Sequence, residues 1–99
     1  VFMDGSEGWV AYVRNKLVFI KKFPVIDPGK TAPGEKNIEL YVNKENTYIE
    51  LENQGAYQNL IPGNSLLYET KWYVRRLPCG LKADKGNKEL INYVRNVLR

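Results

Sequence analysis

The chain has 99 residues, of which 43% are hydrophobic and 26% charged, ordinary values for a folded domain that exclude intrinsic disorder. Its net charge is +4, but the 15 basic residues are interleaved with 11 acidic ones, so we expect a solvated surface and no nucleic-acid partner, with nucleic-acid binding as a minor alternative. One cysteine and no histidine exclude an internal disulfide, the usual zinc sites and a Ser-His or Cys-His pair built from this chain alone. We expect no metal and no cofactor.

The chain shows neither a signal peptide nor an apolar run near the ~20 residues of a membrane helix, so we expect no membrane partner. The compartment, cytoplasmic or periplasmic, stays open. The sequence starts at Val1 and reaches a strand within a few residues, as in the middle of a longer protein. We expect a single domain or the C-terminal part of a larger one, completed by the rest of that domain or by a partner chain.

The first half of the chain predicts a β-hairpin followed by a long loop. Residues 8–14, GWVAYVR, and 16–23, KLVFIKKF, are β-rich runs joined at Asn15-Lys16. Both faces of the second run are largely apolar, which is typical of a strand covered on both sides. Residues 24–37, rich in proline and glycine, predict the loop. Their GKT triplet is no phosphate-binding loop, because Pro24 replaces the required glycine and Pro33 forbids the helix that must follow.

The second half predicts another hairpin, a last strand and a helix. Residues 37–43 and 47–54 alternate apolar and polar side chains, which predicts an antiparallel pair with one apolar and one polar face. Residues 66–77, LLYETKWYVRRL, predict the last strand. Residues 87–99 change to a helical period, with Asn87 as N-cap. The predicted fold is an all-β antiparallel sandwich with strands over about 8–78 and a C-terminal α-helix over about 87–98.

The polar face of the second predicted hairpin carries two glutamates. Successive side chains on one face of a strand are ~6.5–7 Å apart. Glu50 and Glu52 therefore match the ~6.5–9.5 Å separation of the acid and base in an inverting glycosidase. Any Glu-x-Glu strand has this spacing, so spacing alone favours a solvated face.

Aromatic side chains and one lysine offer further candidates for sugar contacts. Tyr41 and Tyr48 on the polar face, with Trp9 and Trp72 at sheet edges, are suited to stacking on a sugar ring or to cross-strand packing. Lys21, on an otherwise apolar strand face, needs a partner or a cavity unless its ammonium group extends past the sheet edge.

Residues 48–77 combine three features in a fixed order: the strand YIELENQ, a short spacer, and the segment LIPGNSLLYETKWYV. This order resembles the C-terminal end of the aldose 1-epimerase (galactose mutarotase)-like superfamily. There a strand of pattern apolar-x-Leu-Glu-x-Gln carries an essential glutamate and precedes a Pro-Gly turn and a long strand. Together with GWVAYVRNKLVFIKKFP and IELYVN, the chain resembles an uncharacterised bacterial family of that superfamily over residues 8–78. The positions that match the C-terminal pattern of the superfamily are Ile49, Leu51, Glu52, Gln54, Pro62-Gly63, Tyr68, Thr70 and Trp72.

The resemblance implies a large twisted β-sandwich whose concave face binds a carbohydrate. In mutarotases the glutamate takes the proton of the anomeric hydroxyl while a histidine protonates the ring oxygen. Only the glutamate has a counterpart in this chain, and the resemblance implies that Glu52 is the catalytic base. The missing histidines either lie upstream or are absent from a protein that only binds sugar. As substrate-binding neighbours we predict Lys21, Tyr41, Asn43, Glu50 and Gln54.

The leading hypothesis is thus a mutarotase-like protein that acts on or recognises a sugar, in its catalytic form an aldose 1-epimerase-like isomerase. The alternatives are a non-catalytic carbohydrate-binding module, a structural or interaction β-domain, and the inverting glycosidase suggested by the spacing of the glutamates.

Overall fold

A computed structural model describes all residues, 1–99. The fold is mostly β, with two antiparallel three-stranded sheets and one C-terminal helix, which confirms the predicted antiparallel β class and terminal helix. The chain divides into two compact units: unit 1 comprises Val1–Gly8 and Phe23–Thr70, and unit 2 comprises Trp9–Lys22 and Lys71–Arg99. The elements are β1 (Phe2–Met3), β2 (Trp9–Arg14), β3 (Leu17–Lys22), β4 (Ile38–Val42), β5 (Ile49–Asn53), β6 (Lys71–Arg76) and α1 (Lys88–Val97).

Unit 1 contains the sheet β1-β4-β5. The predicted hairpin of β4 and β5 is confirmed. Strand β1 was not predicted, because a strand of two residues is too short to show an alternation of apolar and polar side chains. Ile38 and Phe23 are buried at one end of this sheet. Gly5 lies against both, and a Cβ atom there would come within 2.7 Å of Ile38 Cδ1. The Gly5 amide also donates to the Oδ1 of buried Asn37 at 2.7 Å, so this corner admits no larger residue.

Asn43 organises the turn between β4 and β5. Its Oδ1 accepts hydrogen bonds from the backbone amides of Thr47, at 2.8 Å, and Tyr48, at 3.0 Å. Its Nδ2 donates to Glu45 and to the Thr47 hydroxyl. A buried amide side chain with both ends satisfied is a stable turn former, which explains why the short connection KENT closes the hairpin.

Unit 2 contains the sheet β2-β3-β6, with β3 in the centre. The predicted connection at Asn15-Lys16 is confirmed, and both residues have positive φ, 51° and 62°. This backbone conformation is that of a type I′ turn, whose twist matches the right-handed twist of the two strands. The Leu77 amide then donates to the Lys16 carbonyl at 2.8 Å, which attaches the end of β6 to the same turn.

The core of unit 2 lies between one face of this sheet and α1. Val18 and Ile20 from β3 are fully buried and pack with Val94 of α1. The helix begins as predicted after Asn87, whose Oδ1 accepts from the amides of Glu89 and Leu90. The helical period places one apolar stripe on the sheet, and burial of that stripe holds the short helix in place.

Two predictions about the strands of unit 2 are only partly right. The last strand was predicted over residues 66–77 but spans Lys71–Arg76. Its partner β3 ends opposite Lys71 at Lys22, so residues 66–70 find no ladder to join. The expectation that β3 is covered on both sides is right for one face only, because Leu17, on the opposite side from Val18, is 45% exposed. The α-helix of unit 2 is too short and too polar to cross a bilayer.

Candidate functional site

The polar face of the β4–β5 hairpin carries the candidate site. The antiparallel register places Glu39 opposite Glu52 and Tyr41 opposite Glu50. Residues directly opposite on paired strands point to the same side and have Cβ atoms ~4.5–5.5 Å apart. The hairpin therefore collects three carboxyl groups and one phenol on a single face, which we call the carboxylate face: Glu39, Tyr41, Glu50 and Glu52.

The carboxyl groups of this face influence one another. The pKa of Glu50 is raised from its ordinary value of 4.5, first by a side-chain hydrogen bond with Glu52, then by burial and by the negative charges of Glu52 and Glu39. A hydrogen bond between two carboxyl groups requires one proton between them. Glu50 therefore keeps its proton to higher pH than an isolated glutamate because of its neighbours Glu52 and Glu39, an effect that spacing alone does not predict.

Two tyrosines stand at the turn end of the carboxylate face. The ring centroids of Tyr41 and Tyr48 are 6.3 Å apart with the planes tilted by 46°. The two side chains are 46% and 50% exposed, so each ring leaves about half of its surface open. A tilted aromatic pair beside carboxylates offers an apolar surface next to hydrogen-bond acceptors.

The other predicted site residues are placed differently. Asn43 uses both ends of its amide within its own turn, so its side chain shapes the hairpin. Gln54 follows β5, half-buried, and its backbone amide donates to the Asn37 carbonyl at 3.0 Å. Lys21 belongs to unit 2, whereas the other five belong to unit 1. On β3, the Lys21 ammonium lies 5.7 Å from the ring centre of Trp72.

The predicted site residues do not include Glu39, Asn53 or Tyr68, although Tyr68 is one of the positions that match the superfamily pattern. Glu39 was visible as a member of the polar alternation, but its position opposite Glu52 depends on the register. Asn53 places an amide on the apolar side of β5, and neither its Oδ1 nor its Nδ2 has a hydrogen-bond partner. The buried Tyr68 hydroxyl is also unpartnered, and burial raises the pKa of this phenol above 10.0. The Tyr68 ring packs on Gly55, where a Cβ atom would approach it to 3.0 Å.

Three residues of the carboxylate face, Tyr41, Glu50 and Glu52, are exposed and Glu39 is half-buried. A cavity of about 110 Å³ in unit 1 is lined by the N-terminal segment and the loop after β3, including Asp4, Ser6 and Asn37. No three Asp, Glu, Cys or His side chains are arranged to hold a metal ion. The carboxyl and phenol groups of this face suit hydrogen bonding to hydroxyl groups.

Neither a family model, nor a curated protein, nor a solved structure matches the chain.

Proposed function

We propose that the carboxylate face binds a carbohydrate, in a mutarotase-like protein that acts on or recognises a sugar. The observation that carries this proposal is the register that aligns Glu39 with Glu52 and Tyr41 with Glu50 on one exposed face. Ionised carboxylates accept hydrogen bonds from sugar hydroxyls, and a tyrosine ring packs against the apolar C–H face of a pyranose.

In the catalytic form of the proposal, Glu52 takes the proton of the anomeric hydroxyl while the C1–O5 bond breaks and the ring oxygen takes a proton from water. The reverse transfers reclose the ring on either face of the carbonyl and give the opposite configuration. A general base contributes when it is ionised and within hydrogen-bond reach of the proton that it takes. Glu50, whose pKa is raised first by its hydrogen bond with Glu52, holds a proton to higher pH and can donate it to that carboxylate. The neighbouring pair thus supports Glu52 as the site of proton exchange.

The second candidate is sugar recognition without turnover. Its support is the exposure of both Glu50 and Glu52 on an open sheet surface, since catalytic sites are usually concave and exclude water. In this case the same carboxylates bind hydroxyl groups, and the tyrosine pair adds a stacking surface. The β-sandwich of the mutarotase-like superfamily belongs to both versions of the proposal.

The test compares the full chain with its Glu52→Gln variant. Polarimetry follows the interconversion of α- and β-anomers of D-galactose and D-glucose above the spontaneous rate, and an NMR titration follows binding. For a catalytic base we expect the substitution to lower the rate by roughly 10²-fold or more. Glu69→Gln is the matched control, because Glu69 is exposed in unit 1 but lies outside the carboxylate face.

Three results separate the possibilities. An accelerated rate that is unchanged in Glu52→Gln removes Glu52 as the base. Binding without acceleration, weakened by Glu52→Gln and not by Glu69→Gln, supports the non-catalytic version. Equal titration behaviour of all three proteins, with no chemical-shift change at the hairpin, contradicts carbohydrate binding at this face.

A further inference from the structure

The two units carry opposite charge. Unit 2 contains twelve of the 15 lysines and arginines but only two of the 11 acidic residues, Asp84 and Glu89. Basic and acidic residues are mixed along the sequence, but the fold separates them. Two basic stretches that are distant in sequence, residues 9–22 and 71–99, belong to one unit. A domain with such an excess of cations attracts polyanions.

One face of the sheet in unit 2 is not covered by α1. The register gives this face three residues from each strand, and we call it the open face. Leu17, Trp72 and Val74 on it are 45%, 68% and 57% exposed. Its members are Val10, Tyr12, Arg14, Leu17, Phe19, Lys21, Trp72, Val74 and Arg76.

Aromatic rings and cations alternate across the open face. Tyr12 lies opposite Phe19, and the ring of Phe19 meets the edge of Trp72 with centroids 5.6 Å apart. Arg14 and Arg76 flank Leu17 at one end, and Lys21 lies beside Trp72 at the other. Four residues of strand separate the two ends, roughly 13 Å at ~3.3 Å per residue. The four-stranded sheets of RNA-recognition domains likewise stack two or three bases on aromatic side chains.

The open face contains a shallow hollow. It has a volume of about 250 Å³ and lies over the end of the β2–β3 hairpin. Its wall combines apolar and aromatic side chains with one guanidinium and one amide. The lining residues are Tyr12, Arg14, Asn15, Leu17, Phe19 and Val74.

The composition of the open face favours single-stranded nucleic acid over an acidic glycan or a protein as its ligand. Recognition of a sugar chain relies on acceptors for its many hydroxyl protons, and the nine residues of this face include no Asp, Glu, Asn or Gln. A nucleic-acid single strand presents unpaired bases with apolar π-faces and regularly spaced phosphates, which match rings and cations. A protein partner would leave the cations of this face in need of carboxylates, whereas a phosphate backbone supplies their counter-charge throughout.

We propose that the open face of unit 2 binds single-stranded nucleic acid. Bases stack on Trp72, Tyr12 and Phe19, and the phosphates contact Arg14, Lys21 and Arg76. This function goes beyond the carbohydrate site of unit 1 and uses none of the residues of the carboxylate face.

The test titrates the full chain into a fluorescein-labelled oligothymidylate and an oligouridylate of about fifteen nucleotides, with fluorescence anisotropy as the readout. The titrations are repeated from about 50 to 200 mM salt, where a single strand gives a log–log slope of about −0.7 per phosphate contact. We expect salt-dependent binding, accompanied by quenching of tryptophan fluorescence as bases stack on Trp72.

Two pairs of variants assign the binding to the open face. Trp72→Ala should weaken binding roughly five- to 150-fold, whereas Tyr57→Ala, which removes a 64% exposed ring from unit 1, should not change it. Arg76→Ala should reduce the size of the salt slope by about 0.7. Its neighbour Arg75 is also exposed but belongs to the opposite face of β6, so Arg75→Ala has the same charge change and should leave the slope nearly unaltered.

Several results would overturn the proposal. One is the absence of binding to either oligonucleotide at low salt with tens of micromolar protein. Another is equal loss in Arg75→Ala and Arg76→Ala, which would reduce the binding to general charge attraction. A polyuronate that binds as tightly as the oligonucleotides and depends equally on Trp72 would reassign the face to acidic glycans. Self-association in sedimentation that Trp72→Ala abolishes would reassign it to a second copy of this chain.

Discussion

Glu50 and Glu52 lie two residues apart on β5 and look equivalent along the sequence, but their neighbours differ. Glu52 lies opposite another carboxylate, Glu39, while Glu50 lies opposite the phenol of Tyr41. The pKa of Glu50 is raised chiefly by its hydrogen bond with Glu52. At the scale of single residues, the neighbour on the same strand and the cross-strand partners together therefore set the chemistry of this face.

Replacing Glu50 by glutamine should make stability less dependent on pH. Because the pKa of Glu50 is raised above 4.5, the folded chain binds more protons than the unfolded chain between 4.5 and the raised value. The contribution of this carboxyl to stability is thus greatest below 4.5 and is lost as the pH rises through the raised pKa. Glutamine cannot ionise, so Glu50→Gln should exceed the wild type in free energy of unfolding at about pH 7 and approach it at about pH 4.

Urea unfolding at both pH values measures this difference. Glu69→Gln removes an equivalent exposed charge outside the carboxylate face and is the control, with no comparable pH-dependent gain expected. The same difference between Glu50→Gln and wild type at both pH values would show that folding does not raise the pKa of Glu50.

At the scale of elements, the turn of the β2–β3 hairpin places an unfavourable residue type in a left-handed backbone conformation. Its turn needs two residues with positive φ, and asparagine, present at Asn15, is one of the few residue types that adopt this conformation routinely. Lys16, at φ 62°, has no such advantage. The turn persists because β3 is the central strand, paired on both sides, and because the Lys16 carbonyl accepts from the Leu77 amide.

Replacing Lys16 by glycine should stabilise the chain. Glycine adopts positive φ without the steric cost of a Cβ atom, so Lys16→Gly should raise the free energy of unfolding by about 1 kcal/mol. The hydrogen bond from Leu77 is kept, because it involves only the backbone of residue 16. Thermal unfolding followed by circular dichroism measures the effect.

Lys44→Gly provides the contrast, since Lys44 is exposed in the other hairpin turn and does not have positive φ. There glycine only adds freedom to the unfolded chain, so stability should fall or stay level. A decrease in the midpoint temperature for Lys16→Gly would contradict the account of strain in this turn.

At the scale of the whole molecule, the net charge does not show how unevenly the charged residues are distributed. The chain has a net charge of +4, yet unit 2 holds most of the cations and unit 1 most of the anions. Colloidal and chromatographic behaviour depends on local potential as well as on net charge. The chain should therefore behave as more basic than its composition indicates.

Cation-exchange chromatography tests this property without any ligand. At about the isoelectric pH of 9.2 the chain should still be retained, since the cations of unit 2 are concentrated in one part of the structure. Arg76→Glu should elute at lower salt than Lys44→Glu, although both change the net charge equally. Coincident elution of the two variants would show that the charge acts as if it were spread evenly.

The two hairpins and the helix could be predicted from the sequence because their signals are short-range. Alternation of side chains, turn residues and the Asn87 cap act within a few residues, and each gave the correct element within about two residues of its ends. The predicted candidates Glu50, Glu52 and Tyr41 lie on one face for the same reason, since the apolar alternation of both strands fixes the side to which they point.

Local patterns could not predict which strands pair when they are distant in sequence. Residues 66–70 have strand-like composition but remain outside β6, because β3 ends at Lys22 and offers them no backbone partner. Likewise, the basic stretches 9–22 and 71–99 share one unit only because β3 pairs with β6 across some fifty residues of chain. The residue pattern thus specifies each hairpin and the helix, whereas the segregation of charge and the open face follow from strand pairing, since hydrogen bonds between distant segments decide which side chains become neighbours.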